Sequence, residues 1–455
     1  MFSWGPTPTK LPKLSTIITD APGGGAPGAP AGVPANRDRL FLASCVALVV
    51  TAMTFAIRAG IIPELGAEFG LNNTQLGWVS AMAFLGFPIA MMVGGLAYNA
   101  VGPRRLMWAA FACHVLGLVL TITAGGYVGL LVSTFFVGFA NGCVEAACNP
   151  LIVDMYPGKT TAMLNRFHVW FPGGIVVGSL VGQAMGAMGL GWEAQIAIML
   201  LPTAVYGFLI FGQRFPDSAN IESDTGANLA GLLDPLFLFV VVCMTLTAVT
   251  EFATTQWVEV ILGGSGAQPL LVLALVTGIM ALGRFFGGYA IHEINPALVL
   301  LVSAVLASLG IYFLTIADGA AVYGAAVVFA LGICFFWPTM IGLVGEYTPR
   351  TGALGMSLVG GAGMFAMTIW NPIIGGWLDE AAAAGEAAGL TGVAAEVYAG
   401  REVLSTMTLF PVALIGLFAL LYFWVRNRRS ASDAYHAAAA SAAVPAELAV
   451  PTTSR

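Results

Sequence analysis

Between residues 40 and 425 the chain alternates long apolar runs with short polar breaks. Six runs, at 40–64, 75–97, 106–124, 127–153, 161–188 and 193–213, are followed by a polar stretch at 214–235 that holds Asp217, Glu222, Asp224 and Asp234. Six more follow at 236–262, 269–291, 296–316, 320–345, 352–378 and 403–425. A bilayer core of roughly 30 Å is crossed by about 20 helical residues. Inside it no water satisfies backbone N–H and C=O groups, so a span must be a helix or a strand of a closed barrel. Barrel strands are short and alternate apolar with polar residues, and these runs do not. The pattern predicts an all-α membrane protein with twelve transmembrane helices in two six-helix bundles, 39–213 and 236–425, joined by a cytoplasmic linker at 214–235. Residues 1–38, rich in Pro, Gly and Ala, and residues 426–455 read as disordered cytoplasmic tails, because neither can bury a core.

Composition agrees. Apolar residues make up 58% of the chain and charged residues 9%, against roughly 25% charge in soluble domains. Cys45, Cys113, Cys143, Cys148, Cys243 and Cys334 all fall in apolar runs, where reduced thiols pack as small apolar groups. No early apolar core marks a secretory signal. Placement of the positive charges is more informative than the net value of −6. With the N-terminal side taken as inside, Lys10, Lys13, Arg37, Arg39, Arg104, Arg105, Lys159, Arg214, Arg350, Arg426, Arg428, Arg429 and Arg455 lie in inside tails and loops, while Arg401 lies outside. The positive-inside rule then places both termini in the cytoplasm of a multi-pass plasma membrane, a bacterial inner membrane.

The two sets of six runs look like one unit used twice. Gly95-Leu96-Ala97-Tyr98-Asn99 matches Gly288-Tyr289-Ala290-Ile291-His292, and Asp154-Met155-Tyr156-Pro157 matches Glu346-Tyr347-Thr348-Pro349, at offsets of 193 and 192 residues. Two lone intramembrane charges, Arg58 and Glu251, also lie 193 apart. Parallel repeats of this kind place a binding site near the midplane between the halves.

The loop Gly95-Leu96-Ala97-Tyr98-Asn99-Ala100-Val101-Gly102-Pro103-Arg104-Arg105 resembles the signature of the major facilitator superfamily, with Asn99 where the family prefers an acid and Ala100 where it prefers a base. Within that superfamily, Gly142-Cys143-Val144-Glu145-Ala146-Ala147-Cys148-Asn149-Pro150, followed by Leu164-Asn165-Arg166-Phe167-His168, resembles the fucose:proton symporter family. The resemblance implies a sugar-like substrate, with Glu145 in proton coupling and sugar binding. It maps His168 onto a sugar-site glutamine of helix 5, and Ala59, beside Arg58, onto a helix 1 acid.

The residues themselves suggest the same chemistry. An ionisable group in a bilayer is expensive and marks function by default. Glu145 and His168 both fall roughly 10–14 Å from the inside ends of antiparallel neighbours at about 1.5 Å per residue, so they are expected to meet and to carry protons. Asn141, Glu145 and Asn149 form a polar stripe at i, i+4, suited to binding hydroxyls. Arg58 and Glu251 are expected to form an ion pair between the halves that makes or breaks during switching. The rivals are that Arg58 binds an anionic group of the substrate, or that each charge is paired within its own half. Trp170, Gln256, Trp257, Trp337 and Asn371 are further substrate-site candidates, each tryptophan competing with a structural reading. Asn99, Arg104, Arg105, Asp154, Lys159, Arg166, Arg284, Glu346 and Arg350 read as a cytoplasmic gate. No metal-ligand spacing, phosphate loop or cofactor motif occurs, and no partner is expected beyond the lipid, protons and a small sugar-like solute carried by a monomer, with no nucleic acid. The predicted function is secondary transport by alternating access, a proton-coupled sugar importer. The alternatives are an organic-anion transporter and a drug efflux antiporter; Phe171-Pro172-Gly173-Gly174 does not fit the efflux signature. An enzyme would need a catalytic cluster, and a receptor an output domain; neither is evident.

Overall fold

The computed structural model describes residues 36–156, 160–216, 231–291 and 294–426. Among them every span is helical and twelve helices are long and apolar enough to cross a membrane. They are α1 (Arg37–Phe69), α2 (Asn73–Tyr98), α3 (Pro103–Ile122), α4 (Tyr127–Met155), α5 (Met163–Ala187), α6 (Trp192–Ile210), α7 (Pro235–Gln256), α8 (Pro269–Gly287), α9 (Pro296–Ile316), α10 (Ala321–Tyr347), α11 (Leu354–Ala387) and α12 (Val393–Val425). Most of the proposed tails (1–35 and 427–455) and most of the linker at 214–235 lie outside the described residues, as does Lys159, while Arg37 and Asp38, read as tail, form the first turn of α1.

Two spans are longer than their apolar runs. The segment 379–402, read as an outside loop, is almost entirely helix, because α11 continues to Ala387 and α12 starts at Val393. Alanine supplies the reason. Ala381–Ala384, Ala387 and Ala394–Ala395 favour helix without needing lipid, and hydropathy cannot register that. The turn between them falls at Gly389 and Gly392, both at positive φ, where a side chain would be strained. In the other direction, α5 is interrupted at Val169 and α10 at Cys334-Phe335, just ahead of Pro338.

Small residues set how the helices pack. A Cβ on Gly138 of α4 would run into the Ala83 carbonyl of α2, and one on Gly310 of α9 would meet Phe329 of α10 at 2.4 Å. Gly174 and Gly178 seat α5 against Ala52 and Ala56 of α1. Between the first six helices and the second six, the main contacts are α2 with α11 and α5 with α8. Gly138→Val is expected to lower the melting temperature of the detergent-solubilised protein sharply, since overpacking costs about 1–3 kcal/mol or more. Gly173→Ala, which has open space around it, is expected to leave the melt unchanged.

Candidate functional site

Arg58 and the central aromatic cluster are built by five helices. Residue 58 sits two turns inside the apolar stretch of α1, and only 6% of it is exposed. Its guanidinium lies over Phe55 at 5.1 Å and over Phe84 of α2 at 5.5 Å. Phe55 and Phe84 in turn touch Phe252 of α7, with ring centroids 6.2 and 5.6 Å away. Phe171 of α5 and Trp337 of α10 extend the cluster at 5.8 Å from Phe55 and 5.9 Å from Phe252. These phenylalanines escaped the sequence reading, because a lone Phe in an apolar helix carries no signal; the spacing of Phe55 from Arg58 by one turn was the only available hint.

Arg58 crosses the interface to hydrogen-bond Gln256 of α7, Nη2 donating to Oε1 at 2.7 Å. It is not paired with Glu251 in this structure. Glu251 faces Arg284 of α8 instead, with Oε1 to Nη2 at 3.6 Å, while Arg284 Nε donates to the Cys334 carbonyl at 2.8 Å. The expected Arg58–Glu251 ion pair is therefore not formed in this state, and Glu251 is paired within its own half. Matching positions in two repeats do not make two side chains neighbours, and a third residue on α8 reaches the carboxylate first. The same geometry removes Arg284 from the gate group and puts it in the centre. Glu251, Thr255, Gln256 and Arg284 line a small cavity of about 20 Å³ together with Phe55, Phe171 and Thr277.

The electrostatics of this centre are one-sided. Arg284 faces Glu251 while Arg58 has no carboxylate partner, so the centre holds two cationic side chains to one acidic one. Arg58 Nε and Nη1 are buried without a hydrogen-bond partner. A desolvated cation–π contact is worth roughly 2 kcal/mol and a hydrogen bond to a charged group about 1.5–3 kcal/mol. Burying an ion costs several kcal/mol even after relaxation. The compensation supplied by Phe55, Phe84 and Gln256 is incomplete: Nε and Nη1, which stand on different edges of the guanidinium, still have N–H groups to donate to an anion.

Glu145 is buried on α4 and accepts from Asn149 Nδ2 at 2.7 Å. Asn149 Oδ1 is buried without a partner. His168 does not meet Glu145. It is exposed, at the point where α5 is interrupted, and its ring packs edge-on against Phe167 at 5.0 Å. His168 lies on an exposed stretch of α5 with Asn165 and Arg166, while Phe167 takes the buried position beside it. Asn141, the third member of the stripe, is committed elsewhere. Its Oδ1 contacts His114 Nε2 of α3 at 2.8 Å, its Nδ2 donates to Thr54 Oγ1 of α1 at 3.0 Å, and His114 Nδ1 contacts the Tyr206 hydroxyl of α6 at 2.9 Å. Thr54 Oγ1 donates to the Thr51 carbonyl at 2.6 Å. With the proton on Nε2 each group in this chain is satisfied in one direction, which makes it a buried structural network tying four helices together. His114 was missed because nothing in an isolated histidine shows its neighbours.

Trp257 and Asn371 bond each other, Nε1 to Oδ1 at 3.2 Å, and both are fully buried. Trp337 stays at the edge of the aromatic cluster, and Trp170 is exposed. Of the gate candidates, Asp154 accepts from the Tyr98 hydroxyl at 2.9 Å within the first six helices. Arg104, Arg105, Arg166 and Arg350 are exposed, Glu346 lies half-buried at the end of α10, and the side chain of Asn99 is outside the described set. The tightest contact between the halves lies at the other end. Asp379 of α11 accepts from Asn73 N, Thr74 N and Thr74 Oγ1 of α2 at 2.9, 2.9 and 2.7 Å.

Comparison with known proteins adds the following. The model of the family described as Major Facilitator Superfamily matches residues 44–370. An uncharacterised MFS-type transporter of Yersinia pestis is 24% identical over 278 residues, 58% of this chain and 70% of that protein. The hexuronate transporter of Bacillus subtilis is 23% identical over 151 residues, 33% of this chain and 35% of that protein. Among solved structures, an inward-facing bacterial homologue of the human lysosomal transporter Spinster superposes with a TM-score of 0.69 at 14% identity, over 85% of this chain and 97% of that one. The transporter FucP in its outward conformation gives 0.54 at 17% identity, over 83% and 99%.

Proposed function

Because this chain belongs to the major facilitator superfamily, and is a membrane transporter rather than an enzyme, we propose that it carries a small hydroxylated organic anion by alternating access. The observation that carries the reading is Arg58, buried between the halves with Nε and Nη1 unpartnered and without an acid beside it. A substrate carboxylate accepts from those N–H groups, and its hydroxyls are served by Gln256, which bonds Arg58, and by Thr255, both on the wall of the neighbouring cavity. The match to a protein named as a hexuronate transporter, a carrier of sugar acids, supports the same substrate class. A neutral sugar remains the second reading, favoured by the Glu145–Asn149 pair and by the likeness to FucP in fold.

Coupling to protons is assigned to the buried carboxylates Glu145 and Glu251. Each is costly to bury as an anion in the membrane interior. The transporter is placed in a bacterial inner membrane with both termini in the cytoplasm, on the positive-inside distribution, and it works as an importer.

The test is uptake into proteoliposomes of a labelled uronate, a neutral hexose and an inositol, with and without an inward proton gradient. Gradient-driven accumulation of the uronate, lost in Glu145→Gln while exchange persists, is the expected result. Hexose accumulation with no uronate uptake would overturn the anion reading in favour of the neutral sugar.

A further inference from the structure

We infer that Asp379 is a positioning residue for transport: it holds the first turn of α2 and thereby keeps the end of the molecule opposite the termini closed. A helix leaves its first N–H groups without intrahelical partners, and α2 meets this need in an unusual way. Asn72 caps Gln75 N from within, at 2.9 Å, and takes the Gln75 side chain in return at 3.1 Å. The two amides that this capping box leaves over, Asn73 N and Thr74 N, are taken by the two oxygens of Asp379, on a helix of the other half. The Thr74 hydroxyl adds a third bond to the same carboxylate.

Each of these is a charge-assisted bond, about twice as strong as a neutral one. The carboxylate also sits at the positive end of the α2 dipole. Asp379 is only partly exposed, which keeps solvent from screening the contact fully.

The backbone around it is shaped for this contact. One turn before Asp379, a Cβ on Gly375 would collide with the Asn73 carbonyl oxygen, and a Cβ on Gly77 of α2 would meet the Asn371 carbonyl oxygen at 2.5 Å. Two glycines, one from each helix, therefore let α2 and α11 touch backbone to backbone where the carboxylate reaches across. Alternating access requires this seam to part when the cavity faces the other side. Parting it strips three donors from one carboxylate at once. Only water can replace them, so the contact biases the protein toward the state described here.

Spin labels on Glu68→Cys and Glu386→Cys, both exposed at this end, read the seam directly through their distance distribution, and no substrate is needed. Asp379→Ala is expected to raise the population of the long-distance state about tenfold or more. Asp379→Asn, which keeps one acceptor oxygen and loses the charge, should fall between it and the parent. Thr74→Val and Gly375→Ala loosen the same seam without touching the acid and should shift the distribution in the same direction, so the inference stays testable if Asp379→Ala fails to fold. A distribution unchanged in all four variants, even with a lower melting temperature, would reduce Asp379 to a helix cap of purely structural value and overturn the inference. Because the readout needs no solute, its failure is separate from any failure of the anion assignment.

Discussion

Arg58→Ala is expected to weaken the apparent affinity for a carboxylate solute by roughly 30- to 1000-fold, the effect of removing one partner of a buried charge-assisted pair at about 2–4 kcal/mol. Arg58→Lys keeps the charge but loses the planar guanidinium, and its single ammonium cannot hold Gln256 and a carboxylate in the same directions; an intermediate loss is expected. Stability should move the other way. In the empty protein Arg58 is a buried cation with two unsatisfied nitrogens, so Arg58→Met, similar in length and apolar, should leave the melting temperature unchanged or raise it. Competition of unlabelled uronate against labelled uptake, paired with thermal melts, separates the two roles. A variant that loses stability together with transport would make Arg58 a structural residue. One that transports a carboxylate like the parent would remove it from the site.

That split between cost and use explains how far the sequence could be read. The twelve spans were legible because lipid imposes one requirement on every residue of a run, apolar character, and a run of twenty records it redundantly. The exceptions are the stretches where lipid does not decide. The extension of α11 and α12 beyond the bilayer follows alanine propensity, which the hydropathy pattern does not weigh. Buried polar positions were legible as positions but not as partners. The stripe Asn141, Glu145, Asn149 shares one face of α4, yet Asn141 is turned to His114 and Thr54 while Asn149 turns to Glu145. A period of 3.6 tells which residues share a face and is silent on the helix opposite. Asp379 shows the same limit. Beside Gly375-Gly376 it looks like the polar end of an apolar run, and only the meeting of α11 with the start of α2 gives it donors.

The pairing of Glu251 with Arg284 leads to the second large effect. Arg284→Ala leaves a carboxylate that is 6% exposed without its cation, and breaking a buried pair from one side costs about 3–5 kcal/mol. The double variant Glu251→Gln, Arg284→Gln removes both charges and should regain most of that loss, because two neutral amides carry far less desolvation penalty than one stranded ion. The melting temperature is therefore expected to fall steeply for the single change and to recover for the double. Charge reversal then identifies the partner. Glu251→Arg with Arg284→Glu restores an opposite pair across α7 and α8 and should melt closer to the parent than either single reversal. Arg58→Glu with Glu251→Arg should not, since Arg58 is bonded to Gln256 in this state and the swap would set two cations, at 251 and 284, against each other. Rescue by the second swap and not the first would mean that Glu251 belongs to Arg58 after all. Arg284 would then be the free cation of the cavity, and the carboxylate of the solute would have to be sought there.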